Sequence, residues 1–204
     1  GIYAAIKQYS TPDYLVNLAA FAGISVPSFW LALLLITLFS VILGILPASG
    51  TENIGGPTSF WAAAKFLILP IATLTIASIG SHTRFVRAAV IETMRQDYIR
   101  TARAKGASEV RVVLYHALRN ALIPVVTIIA LDFGYLFSGA LIVETIFAYP
   151  GMGKLIFDAI MGNDFNLAMI AFLFATVLTL LGNLFADIAY GWLDPRISYG
   201  ETEA

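Results

Sequence analysis

From Tyr14 to Thr51 the chain carries no Asp, Glu, Lys, Arg or His. A bilayer core of about 30 Å is crossed by about 20 helical residues, and in lipid each backbone amide must find its partner inside the segment. A run of this kind reads as a membrane helix. It is longer than one crossing requires, so it either begins on the membrane surface or tilts and kinks. Pro27, which lacks an N–H, is the expected kink point. Thr11-Pro12-Asp13 suits the start of the helix, with a capping hydroxyl, a proline for the first turn and a carboxylate at the positive end of the dipole. Leu46-Pro47-Ala48-Ser49-Gly50 closes the span.

Three further apolar stretches follow, which sets the expected fold class as an all-α, polytopic transmembrane bundle forming a single domain. The expected spans are 14–46, 60–81, 121–143 and 166–192. Trp61 suits an interfacial belt, Lys65 can snorkel outward, and Pro70 lies inside the second span. The polar, Gly/Pro-rich segment 51–59 is a loop. Tyr149-Pro150-Gly151 reads as a type II turn, with Asp158 and Asp164 keeping that region out of the bilayer core. Asn17, Asn163, Asn166 and Asn183 offer polar contacts between helices, and Ala19 with Gly23 forms a small-xxx-small pair. Composition agrees: 59% of residues are hydrophobic and 12% charged, against about 25% charged in a soluble domain. The opening Gly1-Ile2-Tyr3-Ala4-Ala5 reads as the end of an apolar helix that begins upstream.

Charge is concentrated between the second and third spans. Arg84, Arg87, Arg95, Arg100, Arg103, Lys105, Arg111 and Arg119 are eight of the twelve Lys and Arg residues. Short loops rich in Lys and Arg stay in the cytoplasm, so this loop, about 84–120, is expected there with the C-terminus. Phe85 to Ala104 has neither Gly nor Pro and reads as helix. Gly106 breaks it, and Ser108 with Glu109 in the first turn starts another. Val110, Val113, Leu114, Ala117, Leu118 and Ala121 then form one helical stripe. Two readings fit this pattern: a surface helix resting among membrane lipid headgroups, or a docking element for a cytoplasmic partner.

Some chemistries are excluded. With no cysteine there is no thiolate nucleophile, and His82 and His116 lack the spacing of a metal site. There is no GxxxxGK[ST] phosphate loop. Nucleic acid is not an expected partner of a loop tethered at both ends to a membrane. Asp132, near the middle of the expected third span, is a candidate for lining a translocation pathway or for pairing between helices.

The run ARAKGASEVRVVLYHALRNALIPV resembles the cytoplasmic loop of ATP-binding-cassette importer permeases, in particular the oligopeptide, dipeptide and nickel branch. HALRNALIPV at 116–125, VETIFAYPGMG at 143–153, LDPRISY at 193–199 and GISVPSFWLALLL at 23–35 carry the branch resemblance, which covers essentially the whole chain. Of the superfamily's Glu-Ala-Ala triplet, aligned on Gly106, the positions fall on Arg100, Thr101 and Ala102, and only Ala102 matches. The VETIFAYPGMG form is similar to the first permease of a pair, with about six spans, so two would lie upstream. The resemblance implies half of a translocation pore in a bacterial or archaeal cell membrane. A second homologous permease supplies the other half, two cytoplasmic ATPase subunits hold the ATP and magnesium, and an extracytoplasmic substrate-binding protein delivers cargo. This chain would bind no cofactor and catalyse no reaction. ATPase coupling would fall on Arg100, Thr101, Ala102, Arg103, Ala104, Lys105, Gly106, Ala107 and Ser108, with Arg100, Arg103 and Lys105 facing acidic groups of the ATPase. The implied cargo is a di- or oligopeptide. Nickel or another small solute is the alternative within the branch, and an ATPase-independent transporter or channel, or a membrane scaffold, the alternatives outside it.

Overall fold

The structure, a computed structural model, describes residues 1–51, 59–138 and 140–193. Most of the expected loop at 51–59, and all but the first residue of LDPRISY, lie outside the described residues. Among the described residues there are helices and no strands. They are α1 (Ile2–Ile6), α2 (Thr11–Ser25), α3 (Ser28–Leu35), α4 (Phe60–Met94), α5 (Asp97–Ala104), α6 (Glu109–Arg111), α7 (Leu118–Ser138), α8 (Leu141–Ile146), α9 (Met152–Met161) and α10 (Phe165–Leu193). Helix α3 continues as a π-helix over Ile36–Ile42, and a second π-helix, Val112–Ala117, joins α6 to α7. The chain folds as two compact units: Gly1–Val16, Thr83–Tyr135 and the described part of Leu178–Ala204 form one, Asn17–His82 and Leu136–Val177 the other.

Among the described residues, three helical stretches are long and apolar enough to cross a membrane: Phe60–Met94, Glu109–Ile129 and Phe165–Phe185. The first expected span reaches that threshold only as a pair, Thr11–Ser25 with Ser28–Ile42, bent by 99°. Pro27 is therefore a break and not a kink. It stands at φ −58°, ψ 136° as the cap residue of α3, and its carbonyl accepts from Leu31 N–H at 3.0 Å. The end of this stretch comes earlier than expected, at Ile42. Gly44 then turns the backbone left-handed (φ 63°), and the N–H groups of Ile45 and Leu46 both point back to the Phe39 carbonyl. The second expected span overruns in the other direction, since α4 continues as helix to Met94. Pro70 lies inside it, and nearby Thr73, fully buried, donates its hydroxyl to Leu69 O at 2.9 Å.

In the unit built on Asn17–His82 and Leu136–Val177, glycines let α2 and α4 touch backbone to backbone. A Cβ on Gly23 would stand 3.0 Å from Ile76 O, and one on Gly80 would collide with Ala20 O. The small residue that joins Gly23 on the face of α2 meeting α4 is Ala20, which is buried, and not the expected Ala19, which is exposed. Ala32, Leu69, Val143 and Phe147 form the apolar core of this unit.

Helix ends in the same unit are built from a repeated device. At the end of α8, Tyr149 N–H donates to Glu144 O (2.8 Å) and Ala148 N–H to Thr145 O (3.2 Å), with Ala148 left-handed at φ 48°. This is a Schellman ending, and it replaces the expected type II turn, because Gly151 sits at φ −100°. Glycine is needed at 151 for room: a Cβ there would collide with the Glu144 carboxylate. That carboxylate accepts from Ala140 N–H at 3.1 Å and from Lys154 N–H at 2.8 Å, so one side chain closes the starts of α8 and α9. A second Schellman ending stops α9, with Asn163 as its left-handed residue (φ 58°) and Asp164 N–H on Ala159 O. Asn163 is therefore a helix stop. Asp164 then caps α10 by accepting from Leu167 N–H at 3.0 Å.

In the other unit an ion pair ties α2 to α4. Arg87 donates from Nε to Asp13 Oδ1 and from Nη2 to Oδ2, both at 2.7 Å, and Asp13 is 2% exposed. Tyr9 N–H adds a third bond to the same carboxylate at 3.0 Å. Beside it Ala5, Val90 and Ala121 form an apolar cluster.

Two outcomes follow. Ala148→Gly removes the cost of a side chain at positive φ and should stabilise the protein by about 1 kcal/mol, read as a raised unfolding midpoint in detergent. Asp13→Ala leaves a guanidinium unpaired in a mostly buried place and should cost about 3–5 kcal/mol. Adding Arg87→Met should restore most of that loss, and a double variant no better than Asp13→Ala would show that the pair is not the cause.

Candidate functional site

The expected coupling segment begins where α4 stops. The anticipated helix over 85–104 is interrupted at Arg95 and Gln96. Arg95 N–H bonds Glu92 O and Gln96 N–H bonds Thr93 O, three residues back, which tightens and ends α4. Gln96 is extended (φ −70°, ψ 150°), and Ile99 N–H donates to its carbonyl at 3.1 Å. Nothing in local propensity forbids helix here. Packing decides it, because the break lets α5 bury Ile99 and Ala102 against Val112 and Ala117.

Gly106 ends α5 as the sequence leads one to expect, and the geometry gives the reason. Gly106 N–H donates to Arg103 O (2.9 Å) and Ala107 N–H to Ala102 O (3.2 Å), with Gly106 at φ 81°. This third Schellman ending carries its usual apolar contact, Ala107 on Ala102. A Cβ on Gly106 would meet no atom within 4 Å, so the turn faces open space. Ser108 takes the cap position of α6 (φ −63°, ψ 150°) without a side-chain bond, and only its carbonyl engages, accepting from Val112 N–H.

The stripe differs from the expected one. Val113, Ala117 and Ala121 are buried, as is Val112, whereas Val110 and Leu114 are exposed. The π-helix explains the shift, because its i→i+5 bonds put Val112 and Ala117, five apart, on one face. From Glu109 to Ser138 the helix then runs without a gap, so the expected boundary near 121 between loop helix and span does not exist. Asp132 accordingly lies six residues before Ser138, close to the end of the helix rather than its middle. It is half-buried and lies roughly 35 Å of helical rise from Glu109, so it is not part of the loop.

The charged side chains of the loop divide into two groups. Arg103 forms a bidentate pair with Glu109, Nε to Oε1 at 2.8 Å and Nη2 to Oε2 at 3.1 Å, clasping the Gly106 turn. Hydrogen bonding to Glu109 raises the Arg103 pKa above its ordinary value. Arg103 is thus engaged within the chain and not held out for a partner. Arg100 reaches Asp97 only at 3.5 Å and is largely exposed, while Thr101 returns its hydroxyl to Asp97 O. Ala104 and Lys105 are exposed. Sequence reasoning missed two polar contacts that shape this region, Arg103 with Glu109 and Asn120 with Tyr98 (3.0 Å). The first spans a turn whose geometry the pattern does not give, and the second joins residues on separate helices.

A groove of about 690 Å³ between α9 and α10 is walled by apolar side chains such as Ile160, Phe165 and Met169. It offers nothing to hold a charged solute, and Asp132 does not line it.

Comparison with known proteins places these features in a family. The family of binding-protein-dependent transport system inner membrane components matches residues 1–199. Oligopeptide transport system permease protein AppB of Bacillus subtilis is 41% identical over 199 residues, covering 98% of this chain and 63% of the relative. Di/tripeptide transport system permease protein DppB of Pseudomonas aeruginosa is 42% identical over 217 residues, covering 98% and 65%. Glutathione transport system permease protein GsiC of Escherichia coli is 42% identical over 199 residues, covering 98% and 62%. The chain thus spans less than two thirds of the length of these relatives. With an all-helical fold, several spans and a match along nearly its whole length, the chain belongs to the family of inner membrane components of binding-protein-dependent transport systems.

Proposed function

We propose that this chain is a permease subunit of an ATP-driven importer of small peptides and forms half of the translocation pathway. Its loop around Gly106 seats a cytoplasmic ATPase. The observation that carries this reading is the Gly106 turn. A helix of eight residues, backed by buried Ile99 and Ala102, ends in a left-handed glycine facing open space. A rigid, blunt projection of this kind suits insertion into a cleft of a partner. Fixed shape lowers the ordering cost of binding, and the exposed cations Arg100 and Lys105 add only about 0–1 kcal/mol each.

Sidedness follows from charge. Eight of the twelve basic residues lie from Arg84 to Arg119, in the last part of α4, the first turn of α7 and the segment joining them, which favours a cytoplasmic loop and C-terminus. The chain has no phosphate-binding loop, so ATP and magnesium belong to two ATPase subunits. A second, related permease completes the pathway, and an extracytoplasmic binding protein brings the cargo. The named relatives carry oligopeptides, di- and tripeptides and glutathione, all small peptides, and that common chemistry is the basis for the cargo class. Asp132, near the end of α7, is the proposed pathway group able to meet a peptide's amino terminus.

Glycine substitutions test the docking role, because internal packing at 106 is indifferent to them. Gly106→Asn keeps a residue tolerant of positive φ and should leave ATPase association within about threefold. Gly106→Arg should reduce association more than about tenfold, a loss of about 1.4 kcal/mol or more, measured by co-purification of the full-length protein with its ATPase. If Gly106→Arg co-purifies as wild type does, the loop is not the docking element.

A further inference from the structure

We propose that α5 moves as one body with the helix after it, and that Tyr98 and Asn120 are the positioning residues that hold it there. This rests on the docking role of the Gly106 turn and adds the route by which a push on that turn enters the membrane, through α7 and not through α4.

The two helices that flank α5 hold it unequally. Towards α4 there is one apolar neighbour, Met94, and an extended residue, Gln96. Towards α6 and α7 there are four ties of different kinds. Ile99 and Ala102 pack on Val112 and Ala117, and Ile99, Val112 and Ala117 are fully buried. The Schellman bond from Ala107 to Ala102 O closes the turn. Arg103 clasps Glu109 across it. At the opposite end of α5, Asn120 Nδ2 donates to Tyr98 Oη at 3.0 Å and to His116 O at 3.1 Å.

Asn120 is suited to this task. One N–H of its amide is fixed by the carbonyl one turn back on its own helix, which sets the rotamer. The second N–H is thereby aimed at α5. The clasp pins the C-terminal end of α5 and the Tyr98 bond pins its N-terminal end, so α5 cannot roll about its own axis without breaking one of them. Gln96, extended and outside both helices, is left as the pivot. The segment that receives the push is the π-helix Val112–Ala117, continuous with α7 and so with Asp132.

These 204 residues contain no cysteine, and once any thiols in the rest of the full-length protein and in its partners are replaced, thiols placed at 98 and 120 can be joined selectively. The experiment uses the full-length protein assembled with its second permease and ATPase in proteoliposomes. Binding protein loaded with dialanine or glutathione is added, and peptide uptake and ATP hydrolysis are measured together. Tyr98→Phe and Asn120→Ala should leave ATPase co-purification unchanged and lower peptide taken up per ATP by about fivefold or more. Tyr98→Cys with Asn120→Cys should be impaired likewise, and joining the two thiols with a bismaleimide of matching span should restore uptake per ATP. A role in stability alone would lower the unfolding midpoint without altering that ratio. An unchanged ratio in both single variants, or no restoration on cross-linking, overturns the inference and leaves the docking role standing. Loss of co-purification in Tyr98→Phe also overturns it, by making Tyr98 part of the docking surface. Failure of the docking role itself is read separately, from Gly106→Arg.

Discussion

A helix whose outer surface is as greasy as its inner one cannot choose its neighbours by hydrophobicity. In lipid the tails compete on equal terms with any leucine, and what remains is close packing and the pairing of polar groups. This protein follows that rule throughout. On α10 the buried residues of the first half are Ala168, Ala171 and Ala175, while Met169, Ile170, Phe172 and Leu173 point outward. On α2 and α4 the meeting points are Ala20, Gly23 and Gly80. Small side chains mark these contact faces because they let backbones approach, and many of the large ones are exposed.

The same constraint raises the value of every polar group that is kept. Asp13 and Glu144 are each spent on more than one partner at once, and Arg87 gives two bonds to Asp13. Glu144 closes two helix starts, and the glycine at 151 exists to leave it space. The VETIFAYPGMG segment is thus a physical unit: a carboxylate, the left-handed Ala148 that turns the chain, a proline that cannot continue the helix, and a glycine that makes room. An expectation built on the Pro-Gly pair alone finds a turn in the right place but assigns the left-handed conformation to the wrong residue.

What the sequence makes legible is whatever depends on composition over a window or on one residue's backbone preference. The apolar stretches, the break at Gly106 and the concentration of bases are of this kind. Contacts between distant residues are not. Asp13 and Arg87 stand 74 positions apart, and nothing in either neighbourhood signals the other. The π-helices are equally hidden, because an i→i+5 turn leaves the apolar count unchanged while rotating the face. That is why Val112 is buried and Val110 is not. Boundaries failed for a third reason. Charge can rule a segment out of the bilayer core without ending its helix, so α4 runs on through Arg84 and Arg87 to Met94.

The loop shows how these levels combine into function. Of the three cations expected to face a partner, Arg103 is turned inward to brace the Gly106 turn, and Arg100 leans on Asp97. A docking element that depended on charge would not commit its guanidinium groups in this way. One that depends on shape would, because a brace across the turn fixes the outline presented to the partner. The apolar cluster beneath, in which Ile99 and Ala102 pack with Val112 and Ala117, keeps that outline from yielding under load. The stiffness has a consequence for direction. A rigid body attached firmly on one side, and on the other by one extended residue and one apolar neighbour, transmits displacement mainly to the firm side. On the proposed docking role, the continuity of helix from Glu109 to Ser138 makes α7 the element that would receive work done at Gly106.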